Sequence, residues 1–362
     1  MSRTAFTRTT SALVALDAPL TGEWERLHDA CAASPFLHPG LVTLWAQAFG
    51  AGPVTLATVR RDGELVGALP LLRQGRRLVS AADWHTVETG LLARDAAAAA
   101  ALAATLARAR ADRIELSFLD PAGAATVRAA AQTAGYRVEE QLQIASPYLE
   151  LSGDWTAFQA AQPPRRRRDR ERLRRRLGDH GEVSVTFDDG ADASTRATML
   201  DTLLELEAQG WKAERGTAIA QRADTTRYYR ELAGWAAARG WLRLAELRAG
   251  ERVVAATLVL QAHGVRYGVK MGYDLSLRRA GPGVLLLEDV VRQAFEERLS
   301  RVEFLGGGDK YKRDLASGMR DRIGLRAFAP SVRGRVDHAR TVHGPRVARQ
   351  LRRTLRRREA QI

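Results

Sequence analysis

The sequence is poor in cysteine, lysine, aromatics and long apolar runs, and each shortage excludes something. A single cysteine, Cys31, rules out an internal disulfide and a thiolate metal cluster; its expected role is that of a small buried hydrophobe. The longest apolar run, Ala96 to Ala107, is almost all alanine and falls short of the roughly 20 residues a membrane-spanning helix needs. Met1 to Leu20 lacks the basic start and hydrophobic core of a secretory signal, so the expected location is the cytoplasm. The seven histidines, among them His38, His85, His180 and His263, show no paired ligand spacing such as H-x-x-x-H, and no metal is expected. Neither G-x-x-x-x-G-K-[ST] nor G-x-G-x-x-G is present.

What the chain has in excess is arginine. Its 362 residues carry a formal net charge of +14. Arg165 to Arg176, RRRRDRERLRRR, and the stretch from Ser331 to the end hold that excess, and the remainder is close to neutral. Such clusters favour anionic partners: nucleic acid, nucleotides or a membrane surface. Leu173 and Leu177, at i and i+4, give the first cluster one apolar edge and predict a helix resting on a domain while showing arginines outward. The second reads as a basic tail over 331–362. No aromatic residue is interleaved in either, as base stacking would require. The lysines are Lys212, Lys270, Lys310 and Lys312. Where arginine serves nearly everywhere for plain charge, the surviving lysines mark places that need a compact ammonium.

The hydrophobic pattern gives a mixed α/β chain in two similar halves. Ser11 to Asp17 reads as a strand and Thr21 to Ala33 as a helix, followed by a helix at Leu41 to Phe49. Strands Val54 to Arg60 and Glu64 to Arg73 are joined by Arg61-Asp62-Gly63, a hairpin signal. A helix over Asp95 to Arg110, a strand over Arg113 to Leu119 and a helix over Ala122 to Gly135 complete the half. The second half repeats the order: strand Glu182 to Phe187, helices Arg196 to Gln209 and Thr225 to Arg239, strands Leu242 to Arg248, Arg252 to Gln261 and Arg266 to Tyr273, helix Val284 to Arg298, strand Arg301 to Leu305. The expected domains are 1–150, 151–330 and the tail.

Most of the functional signal lies between Tyr267 and Lys312. A strand ending at Tyr273 runs through Arg278-Arg279-Ala280-Gly281-Pro282-Gly283 into a helix beginning near Val284. Glycines at a strand-to-helix turn let backbone N–H groups approach a phosphate, and a helix N-terminus favours negative charge. Lys270, Arg278, Arg279, Gly281, Gly283 and Val284 are therefore the candidate donor-binding residues. Downstream, Gly306-Gly307-Gly308-Asp309-Lys310-Tyr311-Lys312 brings an acid, two lysines and a tyrosine to an open turn, side chains suited to proton transfer and oxyanion stabilisation. Tyr311, Lys312, Asp309 and Glu246 are the catalytic candidates, with Trp211, Lys212, Tyr267 and Tyr273 expected around the acceptor.

These residues carry a resemblance. Ser34-Pro35-Phe36 with Trp45, Ser146-Pro147-Tyr148-Leu149, the arginine helix, Trp211, Tyr228-Tyr229, Lys270 with Gly272-Tyr273-Asp274, Pro282-Gly283 with Leu286-Leu287, and Gly308-Asp309 with Tyr311-Lys312 are similar to the CelD-type bacterial acetyltransferases, relatives of the FemABX transferases on the GNAT fold. The resemblance spans roughly residues 34 to 328. It implies two tandem GNAT-like domains, each a mostly antiparallel sheet flanked by helices, with the donor site in the second only. It also implies acetyl-CoA or another acyl-CoA as donor, its pyrophosphate at Gly281 to Val284, and a small-molecule or envelope-precursor acceptor of the kind used in polysaccharide synthesis. The chain departs from the wider superfamily in its phosphate loop, since Arg278 to Gly283 replaces Arg/Gln-x-x-Gly-x-Gly/Ala. Two alternatives stand beside this reading: an aminoacyl-tRNA donor, as in FemABX relatives, whose long helical hairpin this sequence lacks, and a basic interaction protein without chemistry.

Overall fold

The computed structural model describes residues 8–209 and 223–343. In chain order the first half holds β1 (Thr9–Ala15), α1 (Ala18–Ala30), α2 (Pro39–Ala48), β2 (Val54–Arg61), β3 (Glu64–Gln74), β4 (Arg77–Ser80), β5 (Leu92–Ala93), α3 (Ala96–Arg108), β6 (Arg113–Leu119), α4 (Pro121–Thr133) and β7 (Arg137–Glu150). The second half holds α5 (Trp155–Ala161), α6 (Pro164–Gly178), β8 (Val183–Asp188), α7 (Ala193–Ala208), α8 (Ala223–Ala238), β9 (Leu242–Ala249), β10 (Arg252–Ala262), β11 (Val265–Tyr273), α9 (Pro282–Glu296), β12 (Arg301–Glu303), α10 (Lys310–Arg313), β13 (Gly318–Phe328) and α11 (Val332–His338).

These elements gather into two compact units that do not follow chain order. Residues up to 39, 52–143 and from 321 onward form one, and residues 40–51 and 144–320 the other. The lines expected at 150 and 330 differ from these because the long strands β7 and β13 are each divided between the units.

In the first unit the strand order is β1-β2-β3-β4-β6-β13, antiparallel except for the parallel pair β4 and β6. The predicted hairpin is present: Asp62 and Gly63 both take positive φ, 51° and 88°, as a two-residue turn matching strand twist requires. Leu69, Leu71, Ile114 and Leu116 of the sheet pack with Leu102 and Leu106 of α3. α1 opens at Ala18, earlier than expected, because the Asp17 carboxylate accepts from the Leu20 N–H and Pro19 suits the first turn. The basic tail also begins differently from its expectation. Ser331 caps α11, Asp337 pairs with Arg113 at 3.4 Å, and buried His338 lies 2.9 Å from Glu139, so apolar and ionic contacts fix this part of it.

The second unit repeats the pattern in the order β7-β12-β11-β10-β9-β8, with β11 and β12 as its parallel pair. One face of its sheet, Ala245, Leu247 and Ala255, packs on Leu285, Leu286 and Val290 of α9 and on Leu173 and Leu177 of α6, the apolar edge read in the sequence. Burying Leu177 completely contributes about 2 kcal/mol. The other face carries α7, whose backbone lies so close that a Cβ on Gly272 would stand 2.6 Å from the Glu207 nitrogen. The two final strands are exchanged: β13, from the end of the chain, pairs β6, while β7, which follows β6, pairs β12.

Candidate active site

The site is built around the end of β11. A helical turn, Leu275–Ala280, follows the strand, capped by Asp274, whose Oδ1 accepts from the Ser276 N–H at 2.9 Å. Gly281 then takes the left-handed φ of +65°, and a Cβ there would also stand 3.0 Å from Leu173 of α6. Glycine meets both conditions without strain. α9 begins at Pro282 without any side-chain cap, and the Val284 and Leu285 N–H groups donate to the Gly281 carbonyl. Among the described residues, no side-chain carboxylate or hydroxyl caps this helix end to offset its partial positive charge. At Gly283 a Cβ would reach within 3.1 Å of the Tyr273 ring and 3.5 Å of the Met271 sulfur. Arg278 and Arg279 beside it are exposed.

A gap in the sheet adjoins this turn. β12 pairs only with Val265, Arg266 and Tyr267 and ends at Glu303, while β11 continues to Tyr273. The register with β10 slips between Leu258 and Val259, leaving Val269 without a cross-strand partner. Such a bulge re-aims the strand and frees backbone groups. Gly268 lets the Phe304 carbonyl approach to 3.3 Å of where a Cβ would be.

Strand alternation divides the predicted site residues between two faces of this sheet. Tyr273 and Met271 point toward α9, and Tyr311 of α10 packs on the same side against a core that includes Leu287. Burial, assisted by the nearby Asp309 and Tyr273, pushes the Tyr311 phenol up to about 12. Lys312 folds back so that its Nζ donates to the Leu305 carbonyl at 3.0 Å, and Asp309 is exposed with no cap bond. Lys270 is corrected in position: expected beside the phosphate arginines, it points to the opposite face, because it lies one residue from Met271. Its Nζ is 4.0 Å from Glu207 Oε1 of α7 and 5.3 Å from the ring centre of Tyr229 of α8. Glu246 shares that face but is buried and paired with Arg248 at 2.9 Å. Tyr267 is buried against the sheet. Trp211 and Lys212 lie outside the described residues.

Glu207 and Tyr229 are the residues sequence reasoning missed at this site. The signal for Glu207 was available: Leu200, Leu203 and Leu204 set a helical core stripe, and Glu207 occupies its next position, where an acid is buried only with a partner.

The arginine helix α6 faces two ways. Arg166, Arg170 and Arg174 turn inward along a groove of about 430 Å³ between α5, α6 and α9. Arg166 donates to the Asp314 carbonyl at 2.6 Å, and Arg174 lies 3.5 Å from Asp289. Burial raises the pKa of Glu288 and Asp289 and lowers that of Arg170. Arg167 also borders the groove, while Arg165, Arg168, Arg172, Arg175 and Arg176 are exposed away from it.

Known proteins fit this architecture. Residues 164–313, all within the second unit, match the family model of the acetyltransferase (GNAT) domain. No curated protein sequence matches the chain. Among solved structures, FemX superposes with a TM-score of 0.60 at 12% identity, covering 89% of this chain and 97% of FemX. A conserved protein of unknown function from Bacteroides thetaiotaomicron gives 0.57 at 10%, covering 87% and 99%. The C-terminal domain of an Agrobacterium fabrum protein provisionally assigned as a lysylphosphatidylglycerol synthetase gives 0.55 at 12%, covering 89% and 96%. The shared fold therefore extends through both units, and the second carries a GNAT-type acyltransferase domain.

Proposed function

We propose that the protein is a CelD-type transferase that moves an acetyl or other acyl group from acyl-CoA to an amine or hydroxyl of a small-molecule or cell-envelope precursor. The observation that carries this reading is the uncapped start of α9. Two glycines clear it, two exposed arginines flank it, and it adjoins the unpaired edge of β11. The pyrophosphate of the donor would take the Gly283 N–H at the helix start, with Arg278 and Arg279 adding charge. The thioester carbonyl would lie along the β11 edge near Val269, where backbone N–H groups supply the oxyanion donors.

The two faces of the sheet then divide the chemistry. On the Lys270 face, Glu207 accepts the proton of the attacking amine or hydroxyl as the new C–N or C–O bond forms to the acyl carbon. On the α9 face the C–S bond breaks, and Tyr311, protonated at all working pH values, returns a proton to the leaving thiolate. Lys270, 4.0 Å away, orients the Glu207 carboxylate. Glu246, committed to Arg248, and Lys312, committed to Leu305, support the site rather than touch the reacting atoms.

Calorimetric titration with acetyl-CoA tests the reading. Micromolar binding that weakens in Arg279→Ala and Gly283→Val supports it. No heat with acetyl-CoA or with longer acyl-CoAs overturns the donor assignment and makes charged tRNA the next ligand to titrate.

A further inference from the structure

The first unit carries a surface with a different character. α11 leaves Val332 and Val336 exposed, 71% and 43% respectively, at i and i+4 on one side of the helix. They border a shallow groove of about 360 Å³ between α11 and the β3–β4 hairpin, together with Arg76, Arg77, Arg333 and Arg340. Arg76 and Arg77 are partly neutralised by Asp112 and Asp337, at 2.6 and 3.7 Å. Arg333, Arg335 and Arg340 are exposed, and among the described residues they form no ion pair.

We propose that this surface docks the protein on an anionic lipid bilayer. An apolar pair ringed by arginines meets both layers of such a surface, the valines entering the acyl boundary and the guanidiniums the phosphates. Charge complementarity alone would suit any polyanion, and the valines decide between them. A nucleic-acid backbone offers exposed β-branched side chains nothing to bury against, whereas the acyl boundary of a bilayer does. The helix is held rigidly by Ser331, by the Asp337–Arg113 pair and by buried His338, so the patch is presented already formed.

The test is co-sedimentation of the full chain with vesicles of phosphatidylcholine alone and of phosphatidylcholine with phosphatidylglycerol. Binding to the second only, weakened by salt, is expected. Val332→Asp with Val336→Asp should lower the partition coefficient at least about tenfold, and Arg333→Glu with Arg340→Glu about 25-fold or more. Both pairs are exposed, and unchanged melting temperatures confirm folding. No binding to anionic vesicles, an unaffected valine variant, or displacement from vesicles by a structured RNA at lower concentration each overturns the proposal. Acetyl-CoA titration of the same variants keeps this outcome separate from that of the acyl-transfer reading.

Discussion

The helix that follows β4 and the short β5 in the first unit and the helix that follows β11 in the second start in opposite ways. α3 is sealed by the chain itself: Asp95 caps it, accepting from the Ala98 N–H at 2.8 Å, and a two-pronged bond from Arg61 completes its charge balance. These bonds, Arg61's first, hold the Asp95 carboxyl down at about 2. α9 has no such anion and begins instead with a left-handed glycine and a proline. The two units thus differ at the helix start where, in the proposed reading, a ligand's negative charge would enter. A carboxylate supplied by the protein closes the first unit's helix, and its omission leaves the second one open.

The contrast can be broken most severely at the reacting centre. Glu207→Gln should lower kcat about 10²- to 10⁴-fold with little change in acetyl-CoA affinity, because the amide cannot accept the acceptor's proton; an unchanged kcat removes Glu207 from the chemistry. Next in size, Gly281→Asp transplants the first unit's device into the second. Aspartate tolerates left-handed backbone better than most residues, and its carboxylate should compete with the pyrophosphate, weakening acetyl-CoA about 10- to 100-fold by calorimetry. Crowding against Leu173 is controlled for by Gly281→Asn, which should retain the greater part of the affinity.

Smaller effects should appear in the first unit. Asp95→Ala should lower the melting temperature by about 2–4 °C without altering acetyl-CoA binding. The folded pKa of Asp95 is depressed, so its contribution is fully present above the ordinary carboxylate range of about 4 and is lost as pH falls through about 2. The melting-temperature gap between wild type and variant should accordingly hold from pH 7 to pH 5 and close below. The smallest effect is a null one: with Tyr311 at about 12, kcat should show no alkaline decline below about pH 10.5 in a pH–rate profile. A decline centred lower would assign the proton to another group.

Much of this was legible before the structure. The Asp62-Gly63 turn, the alanine helix α3 and the glycine-proline entry to α9 each rest on local rules that a sequence displays directly. β7 and β13 were missed because their evidence is not local. β7 carries charged and polar residues through Arg137 to Gln143 with no clean alternation, and β13 interrupts its apolar positions with Arg320, Asp321, Arg322 and Arg326. Their partners lie far away in sequence, and only pairing with them makes these segments strands. Lys270 was recognised as unusual and grouped with the donor-binding residues, because the sequence does not display the strand register that turns its side chain to the opposite face. Glu207 was missed because an acid on a leucine-rich helix looks like a solvated residue until the strand beneath it is known.

The exchange of β7 and β13 bears on how the chain is made. β6 is complete by residue 119, yet the strand that covers its edge ends at Phe328. On the ribosome, the N-terminal half must wait more than half the protein's length with that edge open, a template for wrong pairing. A fragment cut near residue 150 would carry the same open edge indefinitely. For this molecule the smallest unit of biosynthesis is nearly the whole polypeptide, and its yield in a cell should depend on chaperones that shield β6 until the last strand arrives.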